Sequence, residues 1–227
     1  MNDGRAVVLG ATGAVGGSLV RELLASDHWA GVTILTRRPT DLFTAAPGAS
    51  KLTTRVIDLG HLEREAEAAA RGCQAAFCTM GVGQPRKISR EEFWRVDVEY
   101  AAAFARGCKA AGVRHFSLLG AVGADPDSRF YYAKVKGMAE RAVVEQRFER
   151  ASFFRPSLLV TRDIRYGLQD RITQALFPLL SPLLPRRLHE IPVEALGRAM
   201  RLNAEGPAAR ASEILYYPEF VALLKGR

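Results

Sequence analysis

Tyr132 and Lys136 stand four residues apart, so on a helix they share one face. A phenol ordinarily titrates near ~10, and a cation one turn away is what brings it into use at neutral pH. Lys136 can also hold a ribose, leaving Tyr132 to give or take a proton at a substrate oxygen while hydride moves. That chemistry needs a nicotinamide dinucleotide, and a second set of residues answers to one. Gly10, Gly13 and Gly16 stand in a Gly-x-x-Gly-x-x-Gly pattern within Gly10-Ala11-Thr12-Gly13-Ala14-Val15-Gly16-Gly17. The first glycine permits a tight turn and the second lets backbone approach a pyrophosphate. The third lets a helix pack closely on a strand, and the helix N-terminus offers free N–H groups to phosphates. Roughly 20 residues further on, an NAD site places Asp or Glu for the ribose 2′-hydroxyl, and an NADP site places arginine. Arg37 and Arg38 occupy that place. A guanidinium grips a phosphate with two hydrogen bonds and a carboxylate repels it, so the expected cofactor is NADP.

These side chains act together only if regular elements carry them to one edge of a sheet. The apolar run at residues 6–9 reads as a buried strand before the glycine turn, and residues 18–24 have helical spacing after it. Further strands are expected at 32–35, 52–57, 75–79, 115–119 and 151–155, with a short one at 214–216. Asp58 follows the strand at 52–57, placed to meet the adenine amino group. Met80 and Gly81 follow the strand at 75–79, at the carboxyl edge where open parallel sheets bind their ligands. Helices are expected at 61–71, at 89–111 behind a Ser89/Glu92 capping box, and at 131–148. Trp94, Val98, Ala101, Ala102 and Ala105 trace a buried stripe on the second of these. Helical patterns recur at 167–179 and 192–202, and a last helix closes the chain. Strand and helix alternate throughout, which predicts an α/β Rossmann fold: a doubly wound, mostly parallel sheet with helices on both faces. The whole of 1–227 reads as one domain, in which residues after about 157 build the substrate-pocket side.

Composition narrows the function further. Of 227 residues, 48% are hydrophobic and 25% charged, which is ordinary for a water-soluble globular chain. The start lacks the apolar core of a signal peptide, and the nearest apolar stretch, 175–184, is broken by Pro178 and Pro182. A cytoplasmic protein without a transmembrane segment is expected. Cys73, Cys78 and Cys108 have no metal-ligand spacing and read as reduced and buried. His61 reads as a surface residue, since no second ligand stands near it. The formal charge of +8 comes from scattered arginines, many beside Glu on helix faces, not from basic clusters with interleaved aromatics. Nucleic acid is therefore not an expected partner, and an anionic cofactor accounts for part of the excess. The stretch 175–185 fits core packing, a lid or a dimer face. A protein partner or a homodimer stays open.

Together these residues resemble the short-chain dehydrogenase/reductase superfamily, in its atypical, Tat-interactive-protein-like branch, from Gly10 to about Met200. The specific pieces are Phe77-Cys78-Thr79-Met80-Gly81, Arg95-Val96-Asp97, His115-Phe116-Ser117-Leu118-Leu119, Gly123-Ala124-Asp125, Val135-Lys136-Gly137 and Phe154-Arg155-Pro156. The resemblance implies NADP contacts from Thr12, Gly13, Ala14, Val15, Arg37, Arg38, Met80, Gly81, Tyr132, Lys136, Leu159 and Arg165, with Tyr132 the catalytic tyrosine. One departure stands out. Where the family carries serine after the fifth strand to polarise a substrate carbonyl, this chain reads Leu119-Gly120-Ala121-Val122. Loss of such a donor costs on the order of 10²-fold in rate. Neither Ser117, within the strand, nor Ser128, near the next helix, replaces it. The expectation is an NADP-dependent oxidoreductase acting on a small carbonyl or quinone-like substrate. Its alternative is a redox-silent NADP-binding regulator or scaffold.

Overall fold

The computed structural model describes residues 3–161, 185–207 and 210–226. The strands are β1 (Gly4–Leu9), β2 (Trp29–Thr36), β3 (Leu52–Val56), β4 (Ala75–Cys78), β5 (His115–Leu119), β6 (Arg150–Phe154), β7 (Leu159–Val160), β8 (Ile191–Pro192) and β9 (Ser212–Leu215). Seven of them form one sheet in the order β3-β2-β1-β4-β5-β6-β9. Every neighbouring pair in it is parallel. The order reverses beside β1, which places the glycine turn at the switch point where doubly wound sheets take their ligands.

The sequence explains this arrangement directly. Ala6, Val7, Val8 and Leu9 are all buried because a central parallel strand is covered on both faces. Their alternation sorts them into two cores. Val7 and Leu9 join the layer of α2 (Leu62–Ala70), α4 (Tyr100–Ala110) and α5 (Tyr131–Val144). Ala6 and Val8 join that of α1 (Ala14–Ala25), α6 (Val193–Glu205) and α7 (Tyr217–Leu224). The expected Rossmann architecture is thus what the chain adopts. Among the described residues, no helix is long and apolar enough to cross a membrane. Cys73, Cys78 and Cys108 are free and buried in the first core. Burial pushes the thiols of Cys73 and Cys78 up to about 11 and about 12.

Two expectations need correction, and one pairing adds to them. The helix over 89–111 is interrupted: α3 (Arg90–Trp94) runs into a π-helical turn, Arg95–Glu99, before α4. The buried stripe continues through the turn, with Val98, Ala101, Ala102 and Ala105 buried as expected. Phe93 is buried and Trp94 only partly, while Asp97 points inward with Val98. The helix over 131–148 stops at Val144, and Arg147 takes φ 53°, which a helix does not tolerate. Finally, β7 and β8 pair as a separate two-stranded sheet. Two-residue strands leave no alternation to read. Arg165, the pattern at 167–179 and the stretch 175–184 lie outside the described residues.

Candidate functional site

The site starts from the glycine turn. Gly10 takes φ +90°, and the Gly13 N–H donates to the Gly10 carbonyl at 3.0 Å, closing the loop. A side chain on Gly10 would run into the Thr79–Met80 backbone, and one on Gly16 into the Gly10 carbonyl and the Thr79 hydroxyl. These two glycines let α1 and β4 crowd against the turn. Gly13 differs: it is exposed and would meet only the Gly10 carbonyl, at 3.3 Å. It is the N-cap of α1, has no side-chain cap, and no acid follows in the first turn. The leading N–H groups of a 12-residue helix are thereby left for an anion, and a glycine cradle lies beneath them. A dinucleotide's pyrophosphate fits those features.

A cavity of about 340 Å³ opens at this edge. Gly13, Ala14 and Val15 line it together with Met80, Gly81, Tyr132, Lys136 and Leu159. Eight of the sequence-derived residues therefore converge on one space. Gly10 and Gly16 are not among its walls but pack the turn against the residues that follow β4, and Thr12 is exposed on the turn. Arg37 and Arg38 are exposed at the end of β2, outside the cavity walls. Asp58 also lies outside them. Its carboxylate accepts from the Gly60 N–H at 2.9 Å and pairs with His61 Nδ1 at 2.9 Å. The Gly60 bond, helped by His61, holds the Asp58 carboxyl below its ordinary range. His61 is thus the partner of Asp58, and among the described residues no cluster could hold a metal ion.

Tyr132 and Lys136 lie on α5 as the spacing requires. The Lys136 Nζ sits 5.8 Å from the centroid of the Tyr132 ring, which stacks on Phe93 at 5.8 Å and an interplanar angle of 22°. Tyr132 is 43% exposed, at the mouth, while Lys136 is buried. Sequence reasoning missed what holds Lys136. Asp97 accepts from its ammonium at 2.5 Å through Oδ1 and from the Val82 N–H at 2.9 Å through Oδ2. Burial pulls the Lys136 ammonium down. The carboxylate of Asp97 and the phenol of Tyr132 outweigh it and hold the lysine above its ordinary range. Gly81 makes the approach possible, since a Cβ there would lie 3.1 Å from Asp97 Oδ1 and 3.3 Å from Lys136 Nζ.

The missing serine also has a structural reason. Gly120 lines the cavity, but a Cβ on it would lie 2.7 Å from Glu140 Oε1. Glu140 stands one turn beyond Lys136 and is gripped by Arg155, whose Nε donates to Oε1 at 2.9 Å and whose Nη2 donates to Oε2. Burial raises the Glu140 carboxyl above its ordinary range against this pairing. Ala121 is buried, Ser117 bonds to His115 within β5, and Ser128 caps a turn at the Phe130 N–H. Ser157, on the exit from β6, is a hydroxyl-bearing residue that does line the cavity. The Val122 N–H donates to the Pro156 carbonyl at 3.0 Å, which ties that exit to the one after β5.

Comparison with known proteins shows the family. A family described as NAD(P)H-binding matches residues 10–161. Protein HTATIP2 of Rattus norvegicus is 32% identical over 215 residues, covering 95% of this chain and 87% of that one. The mitochondrial protein FMP52-1 of Scheffersomyces stipitis is 27% identical, over 85% of this chain and 80% of its own. Among solved structures, MoeE5 in complex with UDP-glucuronic acid and NAD shares the fold at a TM-score of 0.70 and 19% identity. That likeness covers 98% of this chain and 83% of that one.

Proposed function

This chain belongs to the NAD(P)H-binding family, as an atypical short-chain dehydrogenase/reductase similar to HTATIP2, and from that premise we propose that it is an NADP-dependent oxidoreductase acting on a carbonyl or quinone-like substrate. The observation that carries this reading is the convergence of the glycine turn, Tyr132 and Lys136 on one cavity. When bound, the cofactor supplies or accepts hydride. Ala14 and Val15 hold its pyrophosphate by their free N–H groups, and Arg37 and Arg38 its 2′-phosphate. Met80, Gly81 and Leu159 wall the nicotinamide half, and Lys136 holds the ribose. Tyr132 gives or takes the proton at the substrate oxygen, and Ser157 is the hydroxyl that steadies that oxygen in place of the absent serine.

Titration of nicotinamide fluorescence tests the cofactor. NADPH should bind about one to two decades more tightly than NADH, since charge-assisted hydrogen bonds contribute about 1.5–3 kcal/mol. Replacing Arg37 and Arg38 by alanine should erase the difference and leave NADH binding nearly unchanged. Equal curves for the two cofactors in the unaltered protein would sink the NADP assignment. Turnover of NADPH with a panel of carbonyls and quinones tests the enzyme, with Tyr132→Phe as its control. A second reading, a redox-silent NADP-binding regulator, draws on the bare Gly120-Ala121 exit. Background rates alike in both proteins would favour it.

A further inference from the structure

Lys136 does not stand alone at the cavity wall. It emerges from α5 into a buried space closed by the π-helical turn, where Asp97 is only 4% exposed. Position 97 stands four residues after buried Phe93 and four before buried Ala101, on the face of the helix turned to the core. The two oxygens of the carboxylate are divided. Oδ1 takes the Lys136 ammonium at 2.5 Å, and Oδ2 takes the Val82 N–H at 2.9 Å. Val82 belongs to the loop that leaves β4 and lines the cavity with Met80 and Gly81. Gly81 lies close against both charged groups and has no side chain to separate them.

We propose that Asp97 is a positioning residue of this site: a single carboxylate, buried within the π-helical turn, fixes the Lys136 ammonium and the Val82 amide together, so that lysine and loop face the dinucleotide as one unit. The proposal rests on the cofactor reading above. Asp97 touches neither cofactor nor substrate; it acts through Lys136. A neutral amide could not replace it, because an asparagine offers one acceptor atom where the carboxylate offers two. A buried ammonium without its counter-charge also loses its proton more readily.

The other titratable groups that face Lys136 do not supply that counter-charge. Tyr132 and Glu140 lie one turn either side of it on α5, and Cys78 approaches from β4. Glu140 is committed to Arg155, and burial pushes the Cys78 thiol up to about 12, which leaves it neutral. Tyr132 presents the face of its ring, with the centroid 5.8 Å from Nζ, where Asp97 presents an oxygen at 2.5 Å.

The direct test is the proton on Lys136, read in the full chain without cofactor by the ε-carbon resonance of 13C-labelled lysine, assigned by its loss in Lys136→Gln. In the unaltered protein this resonance should titrate above those of the exposed lysines. In Asp97→Asn it should titrate about two pH units lower or more. An unchanged titration would overturn the proposal. NADPH affinity supplies a second reading: nearly flat from pH 7 to pH 9.5 in the unaltered protein, it should weaken about tenfold over that range in Asp97→Asn. The double variant Asp97→Asn/Lys136→Gln should bind more weakly yet show no such slope, and a slope that persists would place its origin elsewhere and overturn the proposal.

Folding of the variants is followed by circular dichroism. An unfolded Asp97→Asn beside a folded double variant would support the pairing, since only the unmatched charge distinguishes them. Unfolding of both would mean that the carboxylate serves the chain and not the amine, and the proposal would fall. Because the resonance is read without dinucleotide, it reports on Asp97 even in a protein that prefers NADH or turns nothing over.

Discussion

Gly120 shows how one absent side chain can decide what a site does. The space where its Cβ would stand is within 2.7 Å of Glu140 Oε1, and that oxygen is half of a buried pair with Arg155. Restoring the family's hydroxyl by Gly120→Ser must therefore disturb the ion pair. Breaking such a pair costs about 3–5 kcal/mol at the upper end. A melting experiment on Gly120→Ser should show a fall of roughly 6–12 °C for about 3 kcal/mol in a chain of this size. Ala121→Ser faces no such obstacle among the described contacts and should melt within a few degrees of the unaltered protein. Should both melt alike, Glu140 is not what excludes a side chain at 120. Ser157 carries the complementary expectation. Its removal as Ser157→Ala should lower kcat by about 10–100-fold with NADPH affinity within a few-fold, as for loss of one oxyanion donor. An unaltered kcat would take the hydroxyl out of the reaction.

The glycine turn with α1 divides two jobs that look identical in the sequence. Gly16 stands against the Gly10 carbonyl and the Thr79 hydroxyl, so its lack of a side chain serves packing. Gly16→Val should lower stability by about 2 kcal/mol, seen as ~4–8 °C in Tm, from overpacking alone. Gly13 is exposed, extended at φ −75° and ψ 168°, and faces the cavity. Gly13→Val should keep its melting temperature and lose dinucleotide binding, because the branched side chain occupies the phosphate path. Full binding in a folded Gly13→Val protein would reduce the motif to a loop. The sequence carries the strand, the turn and the helix here because all three lie within some twenty residues, and Tyr132 and Lys136 because one helix turn joins them. The role of Asp97 was out of reach for a physical reason. The tripeptide Arg95-Val96-Asp97 is legible, but the partner of its carboxylate lies 39 positions away on another helix. Ser157 was equally hidden, since what makes it part of the site is the pairing of the exits from β5 and β6. The two-residue strands β7 and β8 fall below any pattern. Arg37 and Arg38 were legible by their offset from the turn, yet they lie outside the cavity walls, and only titration with the two cofactors can assign them.

At the scale of the molecule the sheet has two ends with separate duties. The carboxyl end carries the cavity, and the amino end of β5, β6 and β9 carries a buried polar network far from it along the strands. There His115 Nε2 meets the Ser152 hydroxyl at 2.8 Å. Ser152 in turn donates to Glu213 at 2.7 Å, and Arg150 reaches the same carboxylate at 2.8 Å. Burial, helped by the Arg150 charge, pushes the His115 imidazole down to about 3. An unfolded histidine titrates near ~6.5, so above that pH both states are neutral and His115 adds no pH dependence. Between about 6.5 and about 3 the unfolded chain takes up a proton that the folded chain refuses, and stability falls as pH falls. At pH 5 the gap of about 1.5 pH units corresponds to about 2 kcal/mol. Glu213, held low by Ser152, Asn203 and Arg150 despite its burial, loses stability in the same direction but nearer its own lower range. Glu140, raised by burial, works the opposite way. His115 is isolated by comparison with His115→Gln, which keeps a polar group and cannot titrate. Urea unfolding at pH 7.5 and pH 5.0 should show the unaltered protein losing about 2 kcal/mol more than His115→Gln on acidification. Equal losses would mean that the folded protein protonates His115 without cost. NADPH affinity between pH 6 and pH 7.5 should be alike in the two proteins, because the proton is refused at the end of the sheet opposite the cofactor.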